Sequence, residues 1–204
     1  DRQAVLYQAK DFLFFHADMQ GNLLVQQRVR ALQALLTREE VTVITTFDGL
    51  MDRLRPLKKV EDSILCIGQD SIVQIDALAE KLSRLGYERE IQVEAPGQFA
   101  VRGGIVDIYA LTEDAPWRIE FWDDEVDSIR SFDVESQRSM ENLEEIVIYP
   151  AAEPVPDEKE ETVSFLDYFE PGKSLIFLDE PTRILEKGRT VEKEFEESMA
   201  NRAA

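Results

Sequence analysis

Gly97-Gln-Phe-Ala-Val-Arg-Gly-Gly-Ile-Val-Asp-Ile-Tyr109 and Trp117-Arg-Ile-Glu-Phe-Trp-Asp-Asp-Glu-Val-Asp-Ser-Ile-Arg-Ser-Phe-Asp133 carry the period-two pattern that decides the fold. Side chains alternate between faces along a strand, so apolar residues at every second position read as a half-buried strand. The pattern predicts strands at 99–102, 105–111, 117–122, 126–132 and 146–149, with turns at Gly103-Gly104, Glu113 to Pro116 and Asp123-Asp124. The expectation is a small, mainly antiparallel sheet.

Upstream the period changes. Leu23, Leu24, Val29, Leu32, Leu35 and Leu36 recur at helical spacing, which predicts an amphipathic helix over 19–37. A β-branched strand is expected at Val41 to Thr46 and a short helix at Phe47 to Leu54, an alternation in the α/β style. Pro56, Lys58 and Lys59 interrupt the pattern. Ile64 to Ile67 then reads as a buried strand, and Ile72, Ile75, Leu78, Leu82 and Leu85 as one face of a helix ended by Gly86. Downstream, 153–161 is a Pro-, Asp- and Glu-rich surface connection. Thr162 to Phe169 reads as helical, Leu175 to Leu178 as a buried strand, and the chain from Pro181 as a helix. The crowd of Glu192, Glu194, Glu196 and Glu197 near its end reads as a solvated face.

The chain has 204 residues, 44% of them apolar, enough for one large domain or two small ones. Acidic residues outnumber basic ones 42 to 23, giving a net charge of −19, so direct nucleic-acid binding is not expected. The charge is uneven, with residues 1–55 near neutral and both 56–140 and 141–204 strongly acidic, which suggests three pieces. Cys66, the single cysteine, lies in an apolar run and reads as a buried thiol in a reducing compartment. No membrane span or signal peptide is legible, so a cytoplasmic location is expected. His16 is the single histidine and reads as structural, and no His or Cys cluster suits a metal.

Applying the strand alternation to Arg118-Ile-Glu-Phe-Trp122 turns Ile119 and Phe121 inward and Arg118, Glu120 and Trp122 outward. The same phase on Phe99-Ala-Val-Arg102 sends Arg102 outward. An exposed Trp beside two Arg is the composition of a protein-binding hot spot. The other reading of the same residues is that Trp122 packs beneath a loop while Arg118 and Glu120 form a cross-strand ion pair.

The quoted stretches, together with Ser136-Gln-Arg138, Gly21-Asn-Leu-Leu24, Arg28-Val-Arg30 and Ile146-Val-Ile-Tyr-Pro150, resemble the amino-terminal region of the bacterial transcription-repair coupling factors, the Mfd family. The second domain of that family is homologous to the UvrA-binding domain of the excision protein UvrB. Phe132-Asp-Val-Glu-Ser-Gln-Arg138 resembles the coupling-factor version of this turn rather than that of UvrB. The resemblance implies a degenerate, helicase-like α/β scaffold, similar to the first domain of UvrB, built from residues 1–55 and 141–204. Inserted in it, residues 56–140 would be a mainly antiparallel α+β UvrA-binding domain. By motif position, Arg102, Arg118 and Trp122 would contact UvrA, with Glu120 orienting an arginine. Family members often carry Phe in place of Trp122.

By the same resemblance, the parent protein would be an ATP-dependent DNA translocase that binds RNA polymerase and DNA. Its carboxy-terminal module would mask the UvrA surface at rest. An alternative is that the piece serves as an intramolecular clamp on its own translocase, or as a degenerate nucleotide-binding domain.

The chain itself is not expected to be an enzyme, nor to hold a cofactor or metal. Gly172-Lys173-Ser174 resembles the end of a P-loop, yet the glycine required five positions earlier is Asp167, a carboxylate that would repel phosphate. The run 175–178 ending in Asp179-Glu180 reads as the relic of a helicase acidic motif, followed here by Pro181.

Overall fold

A computed structural model describes residues 4–9, 18–37, 40–152 and 160–202. His16 and most of the acidic connection after residue 152 lie outside the described residues. The period-two segment forms a six-stranded sheet in the order β4 (Glu88–Glu90), β5 (Gln98–Arg102), β6 (Ile105–Ile108), β7 (Trp117–Trp122), β8 (Glu125–Phe132) and β9 (Ser139–Leu143). All neighbours are antiparallel except β4 and β5, which are parallel. The β5–β6 connection is the two-residue turn Gly103-Gly104, with Gly103 at φ 59°. Left-handed backbone of this kind suits the twist of a tight hairpin, which is why glycine serves there.

One face of this sheet is the main core. Phe99, Val106, Ile108, Trp117, Ile119, Val126 and Ile129 are buried and pack against Leu78 and Leu82 of helix α4 (Ile75–Arg84). The ribbon of β3 (Leu65–Gly68) and β10 (Glu145–Ile148), paired antiparallel, adds Ile67, Ile146 and Ile148 to the same core. Tyr87 fastens the ribbon's end, because its buried hydroxyl donates to the Tyr149 carbonyl at 2.9 Å. Burial also pushes the Tyr87 phenol far above its ordinary pKa. Tyr87→Phe strands that carbonyl and is expected to cost about 1–2 kcal/mol in urea unfolding.

Helix α4 ends at a full Schellman motif: the Tyr87 N–H donates to the Leu82 carbonyl and the Gly86 N–H to that of Ser83, with Gly86 at φ 90°. A β-carbon on Gly86 would lie 2.5 Å from Cβ of Ala152 and 3.0 Å from its backbone nitrogen. Gly86→Ala therefore combines left-handed strain with a collision against backbone. A loss on the order of 2 kcal/mol is expected, seen as a lower denaturation midpoint at unchanged m-value.

A second, smaller core joins the first part of the chain to residues 163–169. Strand β1 (Ala4–Tyr7) pairs in parallel with β2 (Thr42–Thr45), and helix α1 (Asp18–Thr37) packs against them. Tyr7 stacks on Phe165 at 3.8 Å, within a 3-10 turn over Phe165–Tyr168, and Leu54 bridges Val163 through paired backbone hydrogen bonds. Helix α1 serves both cores: Val29 enters the larger, while Ala31 and Leu32 enter the smaller. At its centre Arg28 is 1% exposed and donates to Asp52, to the Tyr7 hydroxyl and to the Gln8 carbonyl.

Several expectations change. The helix after Thr46 is only α2 (Phe47–Leu50), and a further short helix, α3 (Leu57–Glu61), occupies the stretch in which Pro56 and two lysines interrupted the pattern. The residues after Thr162 give a bridge and one 3-10 turn rather than a helix. The strand beginning at Ile105 stops at Ile108. Cys66 is exposed, because alternation in the narrow ribbon buries Ile67 and turns its neighbour out. Ile72 precedes α4, bridges to Glu125 and is 81% exposed, so it is not part of the helix's apolar face. Leu175 to Leu178 form neither a strand nor a buried segment: all four are exposed, and no strand among the described residues pairs with them. Helix α5 (Pro181–Arg202) follows as expected, its glutamates in solvent.

Candidate functional site

The sheet face opposite the main core carries the candidate site. Register places Ala100, Asp107, Arg118, Arg130 and Asn142 in one row across β5 to β9. Arg102, Ile105, Glu120 and Ser128 form the next row. Arg118 and Arg130 thus stand directly opposite each other, a repulsive arrangement unless carboxylates are interleaved. They are. Asp107 takes Arg118 on one side, and Glu120 takes Arg130 on the other.

Asp107 is the fixed point of the face. It is 1% exposed, and its carboxylate accepts from Arg102 Nη2 at 2.6 Å and from Arg118 Nε and Nη2 at 2.7 and 2.9 Å. A buried carboxylate is tolerable only when its lone pairs are filled in this way. Arg118 receives two further constraints. Its Nη2 donates to Gln137 Oε1 at 2.9 Å, and its guanidinium lies 4.3 Å from the centroid of Phe132. Phe132, two residues beyond Arg130, shares this outer face and is buried beneath the arginine. Bonding to Asp107 raises the Arg118 pKa further, so it stays cationic at any working pH.

Gln137 is delivered by the turn after β8. The Asp133 carboxylate accepts from the Ser136 N–H and hydroxyl at 2.8 and 2.6 Å, which also holds its pKa below the usual carboxylate range. Gln137 then takes a left-handed conformation, φ 58°, and its side-chain amide donates to the Val134 carbonyl at 2.7 Å.

Trp122 completes the surface. It ends β7, pairs with Glu125 and is 78% exposed. The Phe121 N–H donates to the Gly104 carbonyl at 2.8 Å, so the indole's strand end is tied to the turn that follows Arg102. A register shift between Glu120 and Phe121 accommodates an extra residue on β8, but alternation along β7 is preserved.

Of the four residues singled out from sequence, Arg102 and Arg118 meet on one carboxylate, and Trp122 stands exposed on the same strand as Arg118. Glu120 pairs with Arg130 and also accepts from Ser128 at 3.2 Å, so the arginine it orients is Arg130. Neither an entombed indole nor a pairing between Arg118 and Glu120 is present. Sequence reasoning missed Asp107, Arg130, Phe132 and Gln137. Asp107 was findable as the one charged residue inside Ile105 to Ile108, at an outward-facing position.

Among the described residues no group of acids, histidines or cysteines is arranged to hold a metal, and no helix is long and apolar enough to cross a membrane. Gly172 sits in a surface turn where Lys173 pairs with Glu170.

A hydrogen-bonded polar sheet face with one projecting aromatic has the composition enriched at protein-docking surfaces. Residues 65–153 match the family model described as the UvrB interaction domain, and over that stretch the chain belongs to this family. The chain is 37% identical over 169 residues to the transcription-repair-coupling factor of Bacillus subtilis strain 168, covering 82% of this chain and 14% of that protein. It is 40% identical over 155 residues to the namesake of Staphylococcus epidermidis RP62A, covering 75% of this chain and 13% of the relative. With the Staphylococcus aureus MRSA252 protein the identity is 36% over 147 residues, 72% of this chain and 12% of the relative. The chain therefore spans only a small part of the length of these relatives.

Proposed function

We propose that the chain is a docking module for UvrA in transcription-coupled nucleotide excision repair, and that Arg102, Arg118 and Trp122 form the contact, with Glu120 at its margin. The observation that carries this reading is an indole left 78% exposed on the strand that bears Arg118, itself fixed with Arg102 on one buried carboxylate, within a UvrB interaction domain. Aromatic and arginine side chains held rigid before binding are what anchors a specific protein interface. The net charge of −19 argues against the same surface serving DNA.

In this reading the parent protein is an ATP-dependent translocase that meets stalled RNA polymerase and DNA through other domains, works in the cytoplasm, and masks the UvrA surface with its carboxy-terminal module. The module described here performs recruitment and no catalysis. Residues 1–55 and 141–204 are proposed to belong to one UvrB-like scaffold into which 56–140 is inserted. Contacts between Leu54 and Val163, and between Tyr7 and Phe165, support the joining of the two outer pieces. Glu145–Ile148, though on the return side, pairs with Leu65–Gly68 and shares the larger core. Titrating the 204-residue chain into UvrA tests the proposal. Saturable binding without any releasing factor is expected, and no binding at concentrations well above micromolar would overturn it.

A further inference from the structure

Building on the docking reading, we propose that Asp107 is a positioning residue for that interface: a buried carboxylate that presents Arg102 and Arg118 to the partner in one fixed arrangement. The partner groups that such a pair fits are carboxylates, since each guanidinium keeps N–H donors beyond those bonded to Asp107. Burial separates Asp107 from the surface itself. At 1% exposure it offers little to a partner directly, while Arg102 and Arg118 are 43% and 14% exposed.

The physical gain is entropic. An arginine side chain carries substantial rotamer freedom that is lost when an interface immobilises it. Here that loss is met on folding: Arg118 is held by Asp107 through Nε and Nη2, by Gln137, and against Phe132. Arg102, with a single bond to the same carboxylate and greater exposure, is the looser of the two.

Electrostatics and positioning make opposite forecasts for Asp107→Asn. Removing the carboxylate makes the patch more cationic, which on charge alone would tighten binding to an acidic partner. Loss of positioning weakens it. Isothermal titration of UvrA with wild type, Asp107→Asn, Arg118→Ala and the double variant forms a cycle. The expected result is that Asp107→Asn loses about fivefold in affinity alone and much less in the Arg118→Ala background, the coupling of residues that act through one another.

Equal losses in both backgrounds would reduce Asp107 to a general structural part and overturn the proposal. Unchanged or tighter binding by Asp107→Asn, with Trp122→Ala still weakened, would also overturn it while leaving the docking reading intact. If Trp122→Ala and Arg118→Ala both bind like wild type, the docking reading fails and this inference with it. Should Asp107→Asn not fold, the Arg118 Nε–Hε resonance of the free wild-type protein decides. Slow solvent exchange before UvrA is added supports the proposal, and exchange as fast as that of an exposed arginine overturns it.

Discussion

Trp122→Ala is expected to weaken UvrA binding more than 10-fold while leaving the thermal midpoint of the protein unchanged. The two halves of that expectation share one cause. An indole that is 78% exposed contributes little burial to the folded chain, so truncating it removes almost nothing from stability. The same exposed area is what a partner would cover. Loss of an aromatic anchor from the desolvated centre of an interface costs about 2 kcal/mol or more, beyond the roughly 1.4 kcal/mol that corresponds to a factor of ten. Trp122→Phe should retain much of the affinity, since a smaller ring keeps the apolar anchor. Titration calorimetry giving wild-type affinity for a folded Trp122→Ala protein would refute the docking assignment. Ile72 and Ile91 are exposed as fully, but neither is an aromatic on the arginine-bearing strand.

How much of this was legible in the sequence depended on whether a strand has one apolar face. Trp117–Trp122 and Glu125–Phe132 do, and their boundaries were read to within a residue. The edge strands do not. Glu88–Glu90 is exposed at all three positions and Ser139–Leu143 at four of five, so each joins the sheet through backbone pairing that leaves no hydrophobic period to read. Leu175 to Leu178 fails in the opposite direction. Four consecutive apolar residues look like a buried strand, yet composition cannot say whether another strand is available to pair with them.

The site was legible to the same depth. Alternation selected Arg118, Glu120 and Trp122, because facing depends only on neighbours along one strand. Which carboxylate meets which guanidinium depends on register between strands, and no period along one strand encodes it. Asp107 falls opposite Arg118 only because the connection over residues 109–116 sets β6 and β7 in that alignment. The turn carrying Gln137 back over the face is likewise a long-range placement, although Asp133 followed by Ser136 is the local signature that forms it.

Arg28→Met tests the second core and should produce the largest loss of stability of any substitution considered, about 3 kcal/mol. The guanidinium is 1% exposed and ties α1 to two other segments: the end of β1, through the Tyr7 hydroxyl and the Gln8 carbonyl, and Asp52 after α2. It also lies 4.0 Å from the centroid of the Tyr7 ring, whose stacking on Phe165 carries the connection to the return segment. Methionine preserves much of the volume but removes every donor. Breaking one side of a buried ion pair costs roughly 3–5 kcal/mol, chiefly by leaving the other charge uncompensated. Asp52, at 23% exposure, regains some hydration, which places the loss at the low end of that range. Because α1 shares its buried residues between both cores, the damage should be graded rather than uniform. Native-state hydrogen exchange is expected to accelerate most in Ala4–Tyr7 and Val163–Tyr168 and least in the central strands Ile105–Ile108 and Trp117–Trp122. Exchange unchanged in Ala4–Tyr7 would mean that the Arg28 pairing does not hold β1 in the second core.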